Sequence, residues 1–178
     1  SAGARRELDA QGQVVAPANL NSPEQIVISG HAAAVNRAVE AAKSAGAKRA
    51  VLLPVSAPFH CALLKPAEER LKPHLSQISF GGLRVPLVSN VDADVVERSQ
   101  AARDALVRQV CAPVRWEESM RRLIALGCDR FVEVGPGKVL CGLLRQIDRN
   151  VAGLNVEDEK SLQATLQKLA ATATEAAS

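Results

Sequence analysis

The sequence predicts an α/β fold, and three observations lead to this prediction. Apolar residues make up 47% of the 178 positions, which is enough to build a real core. Short apolar runs typical of strands alternate along the chain with segments at helical spacing. Aromatic residues are only 2% of the chain, so the core must consist of Ala, Val, Leu and Ile. In α/β proteins the functional groups usually collect at the carboxyl ends of the strands.

The first third of the chain predicts a small unit of hairpin, helix and strand. QVVAPANL and QIVISG, within residues 13–29, indicate two short strands joined by a polar turn. HAAAVNRAVEAAKSAGA has apolar residues at helical spacing and Gly46 as a helix stop, and KRAVLLPV at 48–55 predicts a continuous apolar strand. These elements make most of a split βαβ unit of the ferredoxin-like type. Its opening strand and most of its first helix would precede Ser1, and SAGARREL looks like the tail of that helix.

After Pro58 the apolar pattern changes to longer alternations that predict a second layer of structure. Pro73 interrupts the first helix of this part, so we expect a kink or an early stop there. The predicted elements, in order, are a helix from about Pro66 to Gln77, a strand RVPLVS, helices from about Arg103 to Val110 and from Trp116 to Leu126, a strand RFVEV, a helix VLCGLLRQI, and a final amphipathic helix SLQATLQKLAATA capped by Ser161.

Charge, cysteine spacing and hydropathy exclude several functional classes. The net charge of +3 is spread without a dense basic block, and with few aromatic residues it argues against nucleic-acid binding. The four cysteines show no CxxC pair, which disfavours zinc and a disulfide scaffold and predicts reduced, mostly buried thiols. No apolar segment reaches the roughly 20 residues that cross a bilayer. With no apolar signal core at the N-terminus, the sequence predicts a cytoplasmic protein outside the membrane.

His60 is the first candidate catalytic residue. It follows a predicted strand in a loop that Pro54 and Pro58 hold, at the edge where α/β proteins carry their sites. That position suits a general base, whereas a structural or surface role is the alternative, because imidazole needs a nucleophile or a metal beside it. Cys61 is adjacent and neighbouring side chains point apart, which disfavours a Cys–His pair. The G-x-S-x-G elbow that a serine nucleophile normally needs on such a sheet does not occur in the chain.

The segment EVGPGKVL runs from a strand through a glycine turn into a helix. One residue separates Gly135 from Gly137, and Val139 follows Lys138, so the spacing does not match a phosphate-binding Walker loop. Two interpretations stay open. The turn either serves only to pack the strand against the helix, or it leaves free helix N-terminal amides that attract an anionic ligand.

Two polar residues complete the candidates. Gln109 lies at the end of a predicted helix, where an orphan backbone carbonyl can orient a histidine, although a solvated glutamine is the simpler reading. Asn21 belongs to NLNSP, which most simply provides turn chemistry and alternatively contacts a substrate.

Five segments in register carry a resemblance to a known family. PANLNSPEQIVISG, KRAVLLPVSAPFHCALLKPA, VPLVSNVDA, RDALVRQVCAPVRWEESM and FVEVGPGKVLCGL closely resemble the bacterial malonyl-CoA:acyl carrier protein transacylases of fatty-acid synthesis. The resemblance implies part of an α/β-hydrolase-like subdomain with an inserted ferredoxin-like small subdomain. Residues 1–53 would form most of the small subdomain, and residues 54–178 the carboxyl-terminal part of the large one.

The resemblance also implies site residues and a reaction. His60 would be the catalytic base, and the main-chain carbonyl of Gln109 would orient its ring, a role that carboxylates play in ordinary triads. The family's GQG oxyanion motif, its nucleophilic serine in a GHS elbow and its malonyl-binding arginine precede the aligned region, so this chain would be the carboxyl-terminal part. Malonyl would pass from coenzyme A to the serine and then to the phosphopantetheine thiol of acyl carrier protein, with no metal or redox cofactor. The missing N-terminal half is therefore an expected partner, alongside the acidic carrier protein and malonyl-CoA.

Two alternatives to this function stay open. The first is an acyltransferase domain of a polyketide synthase, which uses the same chemistry. The second is a non-catalytic fragment that binds a partner, and the absence of a nucleophile elbow in the chain is the feature that favours it.

Overall fold

The computed structural model describes residues 12–175, so the helix tail predicted at SAGARREL lies outside the described residues. Residues 12–175 contain six strands and six α-helices that are interspersed along the sequence, which confirms the α/β prediction. The described chain divides into two compact units. The first unit holds the residues up to Asn21 together with residues 25–119, and the second holds Ser22–Glu24 and the residues from Met120 onward.

The first unit begins with the predicted hairpin and helix. Strand β1 (Val15–Ser22) pairs with β2 (Gln25–Gly30) across a two-residue turn, and α1 spans Ala32–Ser44. Gly46 ends α1 with a φ of 90°, a conformation that glycine adopts without strain. The Ala47 amide then donates to the carbonyl of Ala42 at 2.9 Å, which satisfies one of the last helical carbonyls. The hairpin, the helix and its glycine stop are therefore confirmed.

The strand predicted at residues 48–55 is wrong. That segment is irregular, and its apolar side chains are exposed, with Leu52 at 63% and Val55 at 60%. A strand requires a neighbour that satisfies its backbone N–H and C=O groups, and no strand among residues 12–175 pairs with this segment. The apolar run indicated β propensity, which reports a fit to a sheet surface and does not itself supply a partner strand.

The middle of the chain contains mostly helices. The observed bounds are α2 Lys65–Gln77, β3 Leu87–Val88, β4 Val95–Val96, α3 Ser99–Arg108 and α4 Trp116–Ala125. A short 3₁₀ turn at Ala62–Leu64 leads into α2, and α2 continues through Pro73, so the early stop was wrong and the kink stays a prediction. The strand predicted at RVPLVS shortens to the two residues of β3, which pair antiparallel with β4, a strand that was not predicted. Helix α3 begins four residues earlier than predicted.

The second unit is a βαβ arrangement followed by a helix. Strand β5 (Arg130–Val134) and helix α5 (Val139–Ile147) have the predicted bounds. A strand that the analysis missed, β6 (Ala152–Val156), pairs with β5 in parallel. The sequence AGLNV of β6 has little of the β-branched character that marks a strand, so only pairing with β5 reveals it.

The last helix, α6 (Glu159–Glu175), is confirmed, but its cap is not Ser161. The carboxylate of Asp158 accepts the Ser161 amide at 2.7 Å, and the Ser161 hydroxyl accepts the Asp158 amide at 2.9 Å. This reciprocal pair is a capping box in which Asp158 is the N-cap and Ser161 is the third helical residue. None of the helices described in residues 12–175 is long and apolar enough to cross a membrane.

Candidate functional site

The structure brings His60 and Gln109 together within the first unit. Nδ1 of His60 lies 3.1 Å from the main-chain oxygen of Gln109, although 49 positions separate the two residues. A carbonyl oxygen only accepts hydrogen bonds, so this contact requires the proton on Nδ1. The neutral ring then presents the lone pair of Nε2, which is the arrangement a general base needs.

The backbone of His60 adopts an uncommon conformation. Its φ of 60° lies in the left-handed region, which costs a non-glycine residue roughly 1–2 kcal/mol. The next residue, Cys61, is only 1% exposed, and its thiol donates to the carbonyl of Pro58 at 3.2 Å. Cys61 also begins the 3₁₀ turn, because its carbonyl accepts the Leu64 amide at 3.0 Å. The buried cysteine therefore anchors the chain beside His60 and does not serve as its nucleophile.

Gln109 contacts His60 through its main-chain carbonyl, as its position at a helix end suggested. It is the C-cap of α3, and its amide donates to the carbonyl of Ala105 at 2.9 Å. The carbonyls of the last helical turn have no partner within the helix. His60 takes up one of these free acceptors.

Beyond Gln109, the Cys111 thiol lies beside the Glu68 carboxylate of α2. Burial, followed by the hydrogen bond to Glu68, raises the pKa of Cys111 to about 11. The hydrogen bond from Lys65 and then the one from Cys111 lower the pKa of Glu68. A thiol with so high a pKa stays protonated at neutral pH and is a poor nucleophile.

Asn21 lies half-buried near the end of β1, in the same unit. Strand β1 bonds the segment that follows Gln109, because the Leu20 amide donates to the carbonyl of Val114 at 2.9 Å and the Val114 amide donates to Ala18 at 2.8 Å. A substrate role for Asn21 stays a prediction.

The turn GPGK does not leave its helix amides free for an anionic ligand. The two carboxylate oxygens of Glu133 accept the Leu140 and Cys141 amides at 3.1 and 2.8 Å, and the Gly137 amide donates to Glu157 at 2.9 Å. Burial raises the pKa of Glu133, but the amide hydrogen bonds together outweigh it and leave the pKa below its usual value. The anion-site interpretation is therefore wrong, since the chain supplies its own carboxylate at this helix end.

The cysteines and acidic residues form no candidate metal site in the part of the chain that the structure describes. Residues 12–175 contain no group of three or more His, Cys, Asp or Glu side chains that could hold a metal ion. All four cysteines are free thiols. Only Cys61 is buried and Cys128 is exposed, so the prediction of mostly buried thiols was wrong.

A polar cluster beside the end of α3 was not predicted from the sequence. Arg108 donates from both terminal nitrogens to the two carboxylate oxygens of Asp92, each at 2.7 Å. The Arg108 guanidinium, above all through these hydrogen bonds, holds the pKa of Asp92 below its usual value. The only sequence signal was the turn composition of SNVDA, which gives no indication of the distant arginine.

Comparison with known proteins identifies the relatives of this chain. The family model described as "Acyl transferase domain" matches residues 3–170. The malonyl CoA-acyl carrier protein transacylase of Escherichia coli O157:H7 is 47% identical over 94% of this chain and 54% of its own length. The protein of the same name from Bacillus subtilis is 46% identical over 89% of this chain and 50% of its own length. The chain thus spans about half the length of the curated relatives it matches.

Solved structures give the same result. The malonyl CoA-acyl carrier protein transacylase of Clostridium perfringens superimposes with a TM-score of 0.89 at 43% identity, over 95% of this chain and 53% of its own. A malonyl-transacylase solved in complex with a type II polyketide synthase acyl-carrier protein gives a TM-score of 0.87 at 46% identity, over 89% and 52%.

Proposed function

Because this chain belongs to the acyl transferase domain family, we propose that it is the carboxyl-terminal part of a malonyl-CoA:acyl carrier protein S-malonyltransferase of fatty-acid synthesis. The observation that carries the proposal is the 3.1 Å contact between Nδ1 of His60 and the Gln109 carbonyl. It supplies a base with a fixed tautomer. The nucleophilic serine comes from an N-terminal half that relatives of twice this length contain.

His60 acts twice in each half-reaction. Its Nε2 takes the proton of the serine hydroxyl while the serine oxygen attacks the thioester carbonyl of malonyl-CoA. As the carbon–sulfur bond breaks, the imidazolium returns that proton to the departing coenzyme A thiolate. The second half-reaction reverses these steps, since Nε2 takes the proton of the phosphopantetheine thiol and returns it to the serine oxygen. The Gln109 carbonyl holds the ring through both and becomes a stronger partner when the ring is charged.

The proposed partners follow from this chemistry. Malonyl-CoA is a substrate, and acyl transfer between a hydroxyl and a thiol requires no metal or redox cofactor. The carrier protein is acidic, so the net charge of +3 favours its approach. The proposed location is the cytoplasm, where fatty-acid synthesis takes place. Within the whole enzyme, residues 1–53 are assigned to most of the ferredoxin-like small subdomain and residues 54–178 to the carboxyl-terminal part of the large one. Asn21 is assigned a contact with the substrate.

The experiment uses the longer protein, in which the N-terminal half precedes this chain. His60→Ala is expected to lower malonyl transfer to the carrier protein by about 10²–10⁴-fold with a nearly unchanged unfolding curve. The matched control is His74→Ala, since His74 is an exposed histidine of α2 and should leave the rate unchanged. Malonyl transfer by His60→Ala at the rate of the unmodified protein contradicts the assignment.

One observation favours a second candidate function, in which the acyl group passes to a different kind of carrier protein. A structural neighbour was solved with a polyketide synthase carrier protein, so a polyketide synthase acyltransferase is the alternative enzyme. Comparison of kcat/KM for the two kinds of carrier protein separates these functions. Intact-mass spectrometry of the longer protein after brief exposure to malonyl-CoA tests both enzymes against a non-catalytic binding protein, because only an enzyme gains a malonyl adduct.

A further inference from the structure

The direction of the Gln109 carbonyl depends on what holds the segment around it. Gln109 is the C-cap of α3, and the following Val110 amide donates to the carbonyl of Val107 in the last helical turn through a long 3.3 Å hydrogen bond. Free carbonyls at a helix end can turn toward solvent or toward another partner. A fixed contact with His60 therefore requires anchors on both sides of Gln109.

Both arginines that flank this segment bond to one residue, Asp92. Arg108, directly before Gln109, makes a two-pronged contact with the Asp92 carboxylate at 2.7 Å on each side. Arg115, at the other end of the segment, donates to the main-chain oxygen of Asp92 at 2.7 Å. The Arg115 amide also donates to the carbonyl of Asn90 at 2.9 Å. The segment that carries the Gln109 carbonyl is thus attached at its start and at its end to the same turn.

Asp92 is itself held in place. The Ser89 hydroxyl donates to the Asp92 carboxylate at 3.0 Å and accepts the Asp92 amide at 3.2 Å. The Ala93 amide closes the turn on the carbonyl of Ser89 at 2.9 Å. These contacts fix the plane of the Asp92 carboxylate. The two parallel hydrogen bonds from Arg108 therefore fix the orientation of its guanidinium as well as its distance from Asp92.

The Arg108–Asp92 pair can act on geometry as well as on stability. The Arg108 side chain is 52% exposed and that of Asp92 is 34% exposed. Exposed ion pairs typically contribute about 0–1 kcal/mol to the free energy of unfolding, with more expected of a bidentate pair. The two hydrogen bonds of a bidentate pair also restrict the geometry of the backbone next to Arg108, which continues directly into Gln109.

We infer that Asp92 is a positioning residue, which fixes the Gln109 carbonyl through Arg108 and Arg115 and thereby sets which nitrogen of His60 carries the proton. Asp92 does not touch the reacting atoms. Its effect on the tautomer of His60 follows from the structure of this chain, whereas its effect on turnover rests on the proposed function.

The test measures the tautomer directly, by ¹⁵N NMR of the histidine rings in the longer protein that contains this chain. The ring nitrogens of the neutral tautomers have distinct shifts, and the spectrum of His60→Gln assigns the His60 signals. In the unmodified protein, the Nδ1-protonated form of His60 is expected to dominate. Asp92→Asn removes the charge and one prong of the fork, and it is expected to lower the ratio of the Nδ1-protonated to the Nε2-protonated form by about twofold or more.

A second variant and a matched control complete the design. Arg108→Lys keeps the charge and loses the fork, so it should shift the tautomer in the same direction and decides the question if Asp92→Asn does not fold. Glu40→Gln removes one negative charge from another exposed ion pair of the first unit, formed with Lys43 on α1, and should leave the His60 signals unchanged.

The outcomes separate this inference from the proposed function. A tautomer shift in the Asp92 and Arg108 variants, absent in Glu40→Gln, supports the positioning role. Unchanged His60 signals in both variants overturn it, as does an equal shift in Glu40→Gln, because that result indicates a general charge effect. None of these readouts depends on malonyl transfer, so an inactive longer protein contradicts only the enzymatic proposal.

Discussion

The carboxylate of Glu133 and the amide of Cys141 are joined by a 2.8 Å hydrogen bond that ties the end of β5 to the start of α5. The other oxygen of Glu133 accepts the Leu140 amide. The strand thus provides, from its own sequence, the acceptor that the free amides of a helix N-terminus require.

Glu133→Gln is expected to destabilise the second unit. The amide side chain keeps one acceptor and turns an N–H toward a backbone N–H, which should cost about 1–2 kcal/mol in the free energy of unfolding. Denaturant unfolding followed by far-UV circular dichroism measures this change. Glu159→Gln is the control, because it also neutralises an acid beside a helix N-terminus, in this case an exposed one in the first turn of α6. Equal stability losses in the two variants contradict a specific role for Glu133.

The depressed pKa of Glu133 makes a separate prediction about pH. A carboxyl group with a lower pKa in the folded state contributes stability above its unfolded pKa of about 4.3. This contribution is lost as pH falls through the folded pKa. The Glu133→Gln variant should therefore lose less stability than the unmodified chain between about pH 5 and pH 2. Parallel acid limbs for the two proteins would show that Glu133 has no such linkage.

Alanine substitutions at two glycines, one in the GPGK turn and one in the helix that follows it, should change the stability of the protein in opposite directions. Gly137 has a φ of 85°, so Gly137→Ala is strained although the added Cβ meets nothing within 4 Å, and it should cost about 1 kcal/mol. Gly142 lies inside α5 with equally open space, and Gly142→Ala should stabilise by about 0.5–1 kcal/mol. Thermal unfolding of both variants checks the prediction, and melting temperatures that shift in the same direction refute it.

The four thiols should differ in reactivity. Cys128 is exposed, Cys61 is buried, and Cys111 has a pKa raised to about 11. A disulfide reagent at about pH 8 should therefore modify Cys128 fastest. The fast phase should disappear in Cys128→Ser and persist in Cys111→Ser. A fast phase that survives the loss of Cys128 contradicts the structure at that position.

Elements with local signals could be predicted from the amino-acid sequence. Apolar spacing, a glycine stop and a strand-to-helix glycine turn predict α1, β5 and α5, because these features act within a few residues of one another. The helix end at Gln109 and the proline-held loop at His60 were also visible as candidates. The contact between His60 and Gln109, the bonds from Asp92 to both Arg108 and Arg115, and the pairing of β6 with β5 become visible only in the folded chain. These contacts join distant parts of the chain, and residues 48–55 show the converse, since an apolar run forms a strand only when a partner strand accepts its backbone hydrogen bonds.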